Sequence, residues 1–154
     1  MSRRVVTIGV YGFDGGTFLS ALREARVEVL LDVRRRRAVR GSEYAWANAV
    51  RLQASVAGAG IEYRHLKELA MPDELRQLQH RHDARAGVRQ RSRVELADEV
   101  RERYRAEVLD RVDLDELVPA DAVCALMCVE REPSACHRSL IAERLGDHVE
   151  HLRP

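Results

Sequence analysis

Arg4-Val5-Val6-Thr7-Ile8-Gly9-Val10-Tyr11-Gly12, followed by Phe13 to Arg26 and then Val27-Glu28-Val29-Leu30-Leu31-Asp32-Val33-Arg34, is the stretch that decides the fold. Its first run has the β-branched, apolar character of a strand, and glycines between Gly12 and Gly16 punctuate a turn. Thr17 is placed to cap a helix running to about Arg26, with Phe18, Leu19 and Leu22 at the spacing of one buried face. A second apolar run follows after almost no loop. Strand, helix and strand joined this tightly make a βαβ unit, which requires a parallel pair and a right-handed crossover.

Outward from this unit the alternation continues. Arg34 to Ser42 is a polar, arginine-rich loop, Tyr44 to Ala59 predicts a helix closed by Gly58 and Gly60, and Ile61 to Leu66 predicts a third strand. Pro72 to Ala86 reads as a charged helix broken at Gly87. Ser92 to Val112 reads as another, on which Val94, Ala97, Val100, Tyr104 and Val108 form one apolar stripe. Pro119 and Asp121 turn the chain into a fourth strand, Ala122 to Val129. A helix from Pro133 to about Leu145 follows, Gly146 ends it, and His148 to Leu152 suits a short last strand. No repeat, low-complexity tract or linker divides residues 1–154. The expectation is α/β: a single-domain sandwich with a mainly parallel sheet of about five strands and helices on both faces.

Composition narrows the function classes. Three cysteines cannot all pair with one another, and Met1-Ser2-Arg3-Arg4 leads directly into a strand rather than a signal peptide. No apolar run approaches the roughly 20 residues of a membrane helix. A reduced, cytoplasmic chain with no membrane partner is expected. With 26 basic and 25 acidic residues the net charge is +1, so charge does not favour nucleic acid as a partner. Arg34, Arg35, Arg36, Arg37 and Arg40 form the only basic cluster, either a solvated loop or a clamp for phosphate or carboxylate.

In a parallel sheet the strand ends that bind ligands share one edge. Here they carry Gly9 to Gly12, then Asp32 and Arg34, then His65, then Cys128 and Glu130, with Cys136, His137 and Arg138 arriving from the last helix. Cys136, read in the first turn of that helix beside His137 and Arg138, is the candidate nucleophile, because each of these neighbours favours a thiolate. Cys128 is the second reactive thiol, and Cys124 belongs to the core. His137 or Glu130 would move protons, and Asp32 would pair with an arginine, orient a neighbour or act as a base. Arg34, Arg40 and Arg138 would hold an anion. The turn from Gly9 to Gly12 matches neither the dinucleotide nor the Walker pattern, but its amides could cradle an anion at the helix N-terminus.

A Cys128–Cys136 disulfide would make a redox switch. A metal is not expected: the two thiols stand seven residues apart, and adjacent Cys136 and His137 on a regular helix cannot both ligate one ion. Were a metal bound, Cys128, Cys136, His137 and His65 would be the donors. His80, His82, His148 and His151 are read as surface residues.

Several of these segments together resemble the DUF488 family: Thr7-Ile8-Gly9-Val10-Tyr11-Gly12, Asp32-Val33-Arg34, Arg40 with Tyr44, Gly60-Ile61-Glu62-Tyr63-Arg64-His65-Leu66, Arg103-Tyr104, and Cys128-x-Glu130-x-x-Pro133-x-x-Cys136-His137-Arg138. The last is the most specific. The resemblance runs nearly end to end, and it implies a single domain of bacterial or archaeal type without an assigned reaction. The family often has a polar or acidic residue where Tyr11 stands, proline at Arg37, serine at Val39, and Leu-Gly-Asn-Pro or Leu-Gly-Gly at Leu69-Ala70-Met71-Pro72. Those departures imply an altered ligand or a lost ancestral activity, while the cysteine motif is whole.

The combined expectation is a chain that binds a small anionic, nucleotide-like ligand at the C-terminal strand edge, with a thiolate-dependent activity. The alternatives are a non-catalytic ligand or redox-sensing module, or a Cys/His metal-binding protein. The motifs name no cofactor and no oligomeric state.

Overall fold

Arg4–Gly9 forms strand β1, and every residue after Arg4 in it is buried, as a strand covered on both faces requires. The computed structural model describes residues 3–146 and 148–154. In it β1 joins β2 (Val29–Asp32), β3 (Glu62–His65), β4 (Cys124–Cys128) and β5 (His148–Leu152) in one five-stranded sheet of order β3-β2-β4-β1-β5. Every pair is parallel. The helices are α1 (Gly15–Glu24), α2 (Ala49–Gly58), α3 (Asp73–Ala86), α4 (Asp98–Glu107), the short α5 (Leu114–Leu117) and α6 (Arg138–Leu145).

Strand alternation sends side chains to two separate cores. Val6, Ile8, Leu30, Ala125 and Met127 pack with Phe18 and Leu22 of α1 and Leu52 and Val56 of α2. Val5, Leu31, Cys124, Leu126 and Cys128 pack on the other face with Leu75 of α3, Val100 and Tyr104 of α4, and Ile141 of α6. The expected α/β sandwich with helices on both faces is what forms. Leu126 is at the centre with no exposed surface. Its truncation to alanine should cost about 2–5 kcal/mol.

The strand order explains where a ligand would sit. The chain leaves β2 outward to its edge neighbour β3, and leaves β4 in the opposite direction, past β1, to β5. Loops that diverge from adjacent strands leave a crevice between them at the C-terminal edge. That crevice opens between Asp32 and the Cys128 end of β4, whose strands are in direct register.

Local structure departs from the sequence expectation in instructive places. Asp14, not Thr17, is the N-cap of α1: its carboxylate accepts from the Thr17 backbone N–H while the Thr17 hydroxyl accepts from Asp14 N–H, a reciprocal capping box. The Tyr44–Ala59 segment divides at Asn48, whose extended backbone separates a 3-10 turn over Ser42–Ala47 from α2. Only Asp98–Glu107 of the predicted Ser92–Val112 helix is α-helical, and Val94, 61% exposed, leaves the apolar stripe.

The predicted helix from Pro133 is also interrupted. Pro133–Ala135 is a 3-10 turn, Cys136 is extended at φ −136° and ψ 148°, and α6 starts only at Arg138. At the break the carbonyls bond tertiary partners instead of helical N–H groups: Ser134 C=O accepts from Leu96 N–H, and Ala135 C=O accepts from the Arg93 guanidinium. Among the described residues, no helix is long and apolar enough to cross a membrane.

Candidate functional site

The break at Cys136 turns its side chain toward its own neighbour. Cys136 Sγ lies 3.7 Å from His137 Nδ1, and the far ring nitrogen, Nε2, lies 3.0 Å from the carbonyl oxygen of Val33, just past β2. A carbonyl only accepts, so Nε2 carries the proton and Nδ1 of the neutral ring presents its lone pair to the sulfur. Tyr104 packs against the imidazole at a centroid distance of 5.3 Å, and its hydroxyl donates to the Leu69 carbonyl at 2.6 Å. The ring is thus held by β2 on one side and α4 on another.

Cys128, the last residue of β4, completes a triangle: its Sγ, Cys136 Sγ and one ring nitrogen of His137 all lie within 4.8 Å of one another. Burial alone would push the Cys136 thiol up, but hydrogen bonding with Cys128 and the positive charges of His137 and Arg138 bring it well below an ordinary thiol. The hydrogen bond with Cys136, reinforced by burial, pushes Cys128 far up. Burial works against a charged imidazole, yet the Cys136 charge and hydrogen bond and the Val33 carbonyl raise His137. The two sulfurs are thus pushed in opposite directions: Cys136 is the one favoured to give up its proton, Cys128 the one favoured to keep it, and His137 stands in contact to receive one.

These groups form one wall of a cavity of about 640 Å³ at the strand edge, which Arg34, Arg35, Arg36, Arg40, Arg76, Arg89, Arg91 and Arg93 also line. Arg35 and Arg91 have surface carboxylate partners in Asp73 and Glu43. Among the described residues Arg36, Arg40, Arg76 and Arg89 have none, so uncompensated positive charge faces the space. Glu130 stands on the same wall. Burial, followed by the nearby Cys136 charge, pushes its carboxyl up. Its Oε1 accepts from Gln90 at 3.1 Å and Arg93 at 3.0 Å, while buried Oε2 has no partner.

The family profile described as "Domain of unknown function DUF488" matches residues 16–145. The chain belongs to the DUF488 family. No curated protein and no solved structure matches it.

Of the residues in the motif segments, Tyr11, Arg34, Arg40, Cys128, Glu130, Cys136 and His137 come together on the cavity. The others stand behind it as supports. Both oxygens of Asp32 are taken: Oδ1 by the Arg34 backbone N–H and Nε, and Oδ2 by Arg34 Nη2 at 2.8 Å and by the Tyr63 hydroxyl. Burial, helped by that bond to Asp32, pushes Tyr63 up to about 12. Arg34 spends its remaining end on the Ala47 carbonyl, and His65 Nε2 is 2.8 Å from the Arg34 carbonyl. Arg138, fully buried, directs its guanidinium to the carbonyls of Glu130 and Arg131, so it fixes the cysteine loop and lends Cys136 its charge.

Gly9 is needed for close approach: a Cβ there would stand 2.0 Å from the Glu130 carbonyl oxygen. Gly12, at φ +94°, donates its N–H to the Tyr44 hydroxyl. Three histidines depart from a plain surface reading: His82 is half-buried, with Nε2 3.5 Å from Glu99. His80 is exposed but lines the cavity, and half-buried His151 contacts the Thr7 hydroxyl at 2.6 Å.

Sequence reasoning missed the cross-brace of this DUF488 site. Buried Arg93 bonds Asp83 of α3 at 2.7 Å, Glu130 at 3.0 Å and the Ala135 carbonyl, tying the far helix to the loop that carries Cys136. Nothing in the spacing of Asp83 and Arg93 marked it. Tyr104 did carry a signal, through the Arg103-Tyr104 pair.

The geometric objection to a metal falls, because Cys136 is not helical and its sulfur and the adjacent imidazole do converge. Cys128, Cys136 and His137 could together hold a soft ion such as zinc. Their charged neighbours are of both signs: Glu130 acts on Cys128, and Arg138 acts on both sulfurs and favours a thiolate at Cys136 without a metal.

Proposed function

We propose that this chain is a cysteine-dependent enzyme acting on a small anionic substrate of the nucleotide or phosphate-ester size, with Cys136 as nucleophile. The observation that carries the reading is the row Cys136 Sγ, His137 Nδ1, His137 Nε2, Val33 carbonyl, with spacings of 3.7 and 3.0 Å across its two contacts. Nucleophile, base and orienting acceptor stand in sequence.

His137 Nδ1 takes the thiol proton, the thiolate attacks the electrophilic centre, and the Val33 carbonyl stabilises the N–H on the far side of the charged ring. The unpaired arginines of the cavity supply attraction for the substrate's negative charge. Glu130, which retains its proton more readily than an ordinary glutamate, is placed to give one to the departing group. The uncommitted guanidinium groups favour a free small anion over a polyanion, since net charge elsewhere is nearly balanced.

Mass-mapped alkylation by iodoacetamide tests this. Cys136 should be modified faster than the cysteine of glutathione at neutral pH, Cys124 should not, and Cys136→Ser should abolish the fast phase. The rate should climb as pH rises through the lowered value of Cys136 and then hold level through neutrality, whereas an ordinary thiol keeps gaining toward about 8.5. Modification of Cys136 no faster than glutathione would sink the reading. Fast modification only after treatment with a chelator would instead favour the soft-metal site.

A further inference from the structure

A nucleophile with its base needs one sulfur, and this site has two. Both Cys128 and Cys136 line the arginine-rich cavity, and their sulfurs lie within 4.8 Å of each other. Cys124, by contrast, sits at the opposite end of β4, with its thiol directed to the carbonyls of Pro119 and Ala122. Cys128 is anchored by the sheet, where it pairs in register with Gly9. Cys136 lies in extended backbone between a 3-10 turn and α6, outside any regular hydrogen-bond ladder. Closing the gap to the roughly 2 Å of a disulfide falls to Cys136, the one residue of the pair outside a strand, by a shift of the local bonds that its N–H makes to Pro133 and its C=O accepts from Ser139.

We propose that Cys128 is a resolving thiol for Cys136 and that the chain reduces small disulfides carrying anionic groups, a substrate class that rests on Cys136 being the nucleophile. The Cys136 thiolate attacks one sulfur of the external disulfide, the external S–S bond breaks, and the released thiolate takes the proton held by His137. Cys136 is left in a mixed disulfide. Cys128 then attacks Cys136 Sγ, its proton passes to the second departing thiolate, and the Cys128–Cys136 bond forms. Two electrons leave the protein dithiol and convert one external disulfide into two thiols. An external dithiol reductant returns the pair to its starting state. Arginines on the cavity wall select disulfides whose substituents are carboxylates or phosphates.

The probe is bis(carboxynitrophenyl) disulfide, an anionic aromatic disulfide whose released thiophenolate is coloured. The background is Cys124→Ala, which removes the third thiol. Two thiophenolates per chain should be released, and intact mass should fall by two hydrogens with no aryl adduct. Adding Cys128→Ser should halve the release and leave one aryl adduct on Cys136. A stable aryl adduct on Cys136 with Cys128 still free would overturn the proposal, and the mass of the parent protein alone suffices if the Cys128→Ser protein does not fold. No thiophenolate release from protein that iodoacetamide alkylates rapidly would also overturn it while leaving the nucleophile reading intact. Slow alkylation itself removes that reading, so the two failures are separable.

Discussion

Two buried charged clusters lie side by side at the same edge of the sheet, and they have opposite character. In the Asp32–Arg34–Tyr63 cluster both carboxylate oxygens are engaged and the guanidinium reaches an acid and a backbone carbonyl. In the Cys136–His137 cluster the imidazole is fixed through one nitrogen, but the sulfur, though buried, has only thiol and imidazole partners and borders the cavity. Saturated polar clusters hold shape. A cluster with one atom held in place and left unsaturated is where bonds can be made.

The comparison breaks if substitutions in the two clusters behave alike. The largest effect on stability should come from Asp32→Ala, which leaves Arg34 buried without its partner and should cost about 3–5 kcal/mol in chemical denaturation. A loss of under about 1 kcal/mol would show that Arg34 relaxes to solvent and that the cluster is no brace. Tyr63→Phe removes one bond to the same carboxylate. Because Tyr63 is half-exposed, about 1.5 kcal/mol is expected, the low end for a bond to a charged group.

In the other cluster the expectation is inverted. His137→Gln should slow Cys136 alkylation at neutral pH about tenfold, the consequence of returning the thiol from below neutrality to about one unit above it. Its pH profile should also move toward that of an ordinary thiol, whereas a purely structural histidine would lower the melting temperature without moving the profile. The smallest effect should come from Arg40→Gln. It is exposed, so stability should change by under about 0.5 kcal/mol. Iodoacetate labelling should nevertheless fall relative to iodoacetamide, because only the charged reagent is drawn by the arginines. Equal loss for both reagents would place Arg40 outside the anion path.

The parallel sheet was legible from the sequence because its signals are local: a strand-turn-helix-strand run with short links, then further strand-like runs separated by helical segments. The cysteine segment was equally visible, since Cys128, Glu130, Cys136 and His137 cluster in one stretch of chain. The state of Cys136 was not legible. Its departure from the helix is accompanied by bonds from Leu96 and Arg93 to the carbonyls of Ser134 and Ala135, contacts that span about forty residues and leave no local signal. For the same reason Asp32 looked like a candidate base: only the fold shows that Tyr63, from the neighbouring strand, completes its hydrogen bonding.

The missing side chain at Gly9 has one more consequence. It lets the Glu130 carbonyl settle against β1, and Arg138 clasps that same carbonyl at 2.7 Å. A single methyl at position 9 would therefore act at a distance, like a shim driven under one end of the cysteine loop. It would alter the reactivity of Cys136 without touching sulfur, imidazole or any arginine of the cavity, so the last residue of the first strand sets the tension of the whole reactive loop.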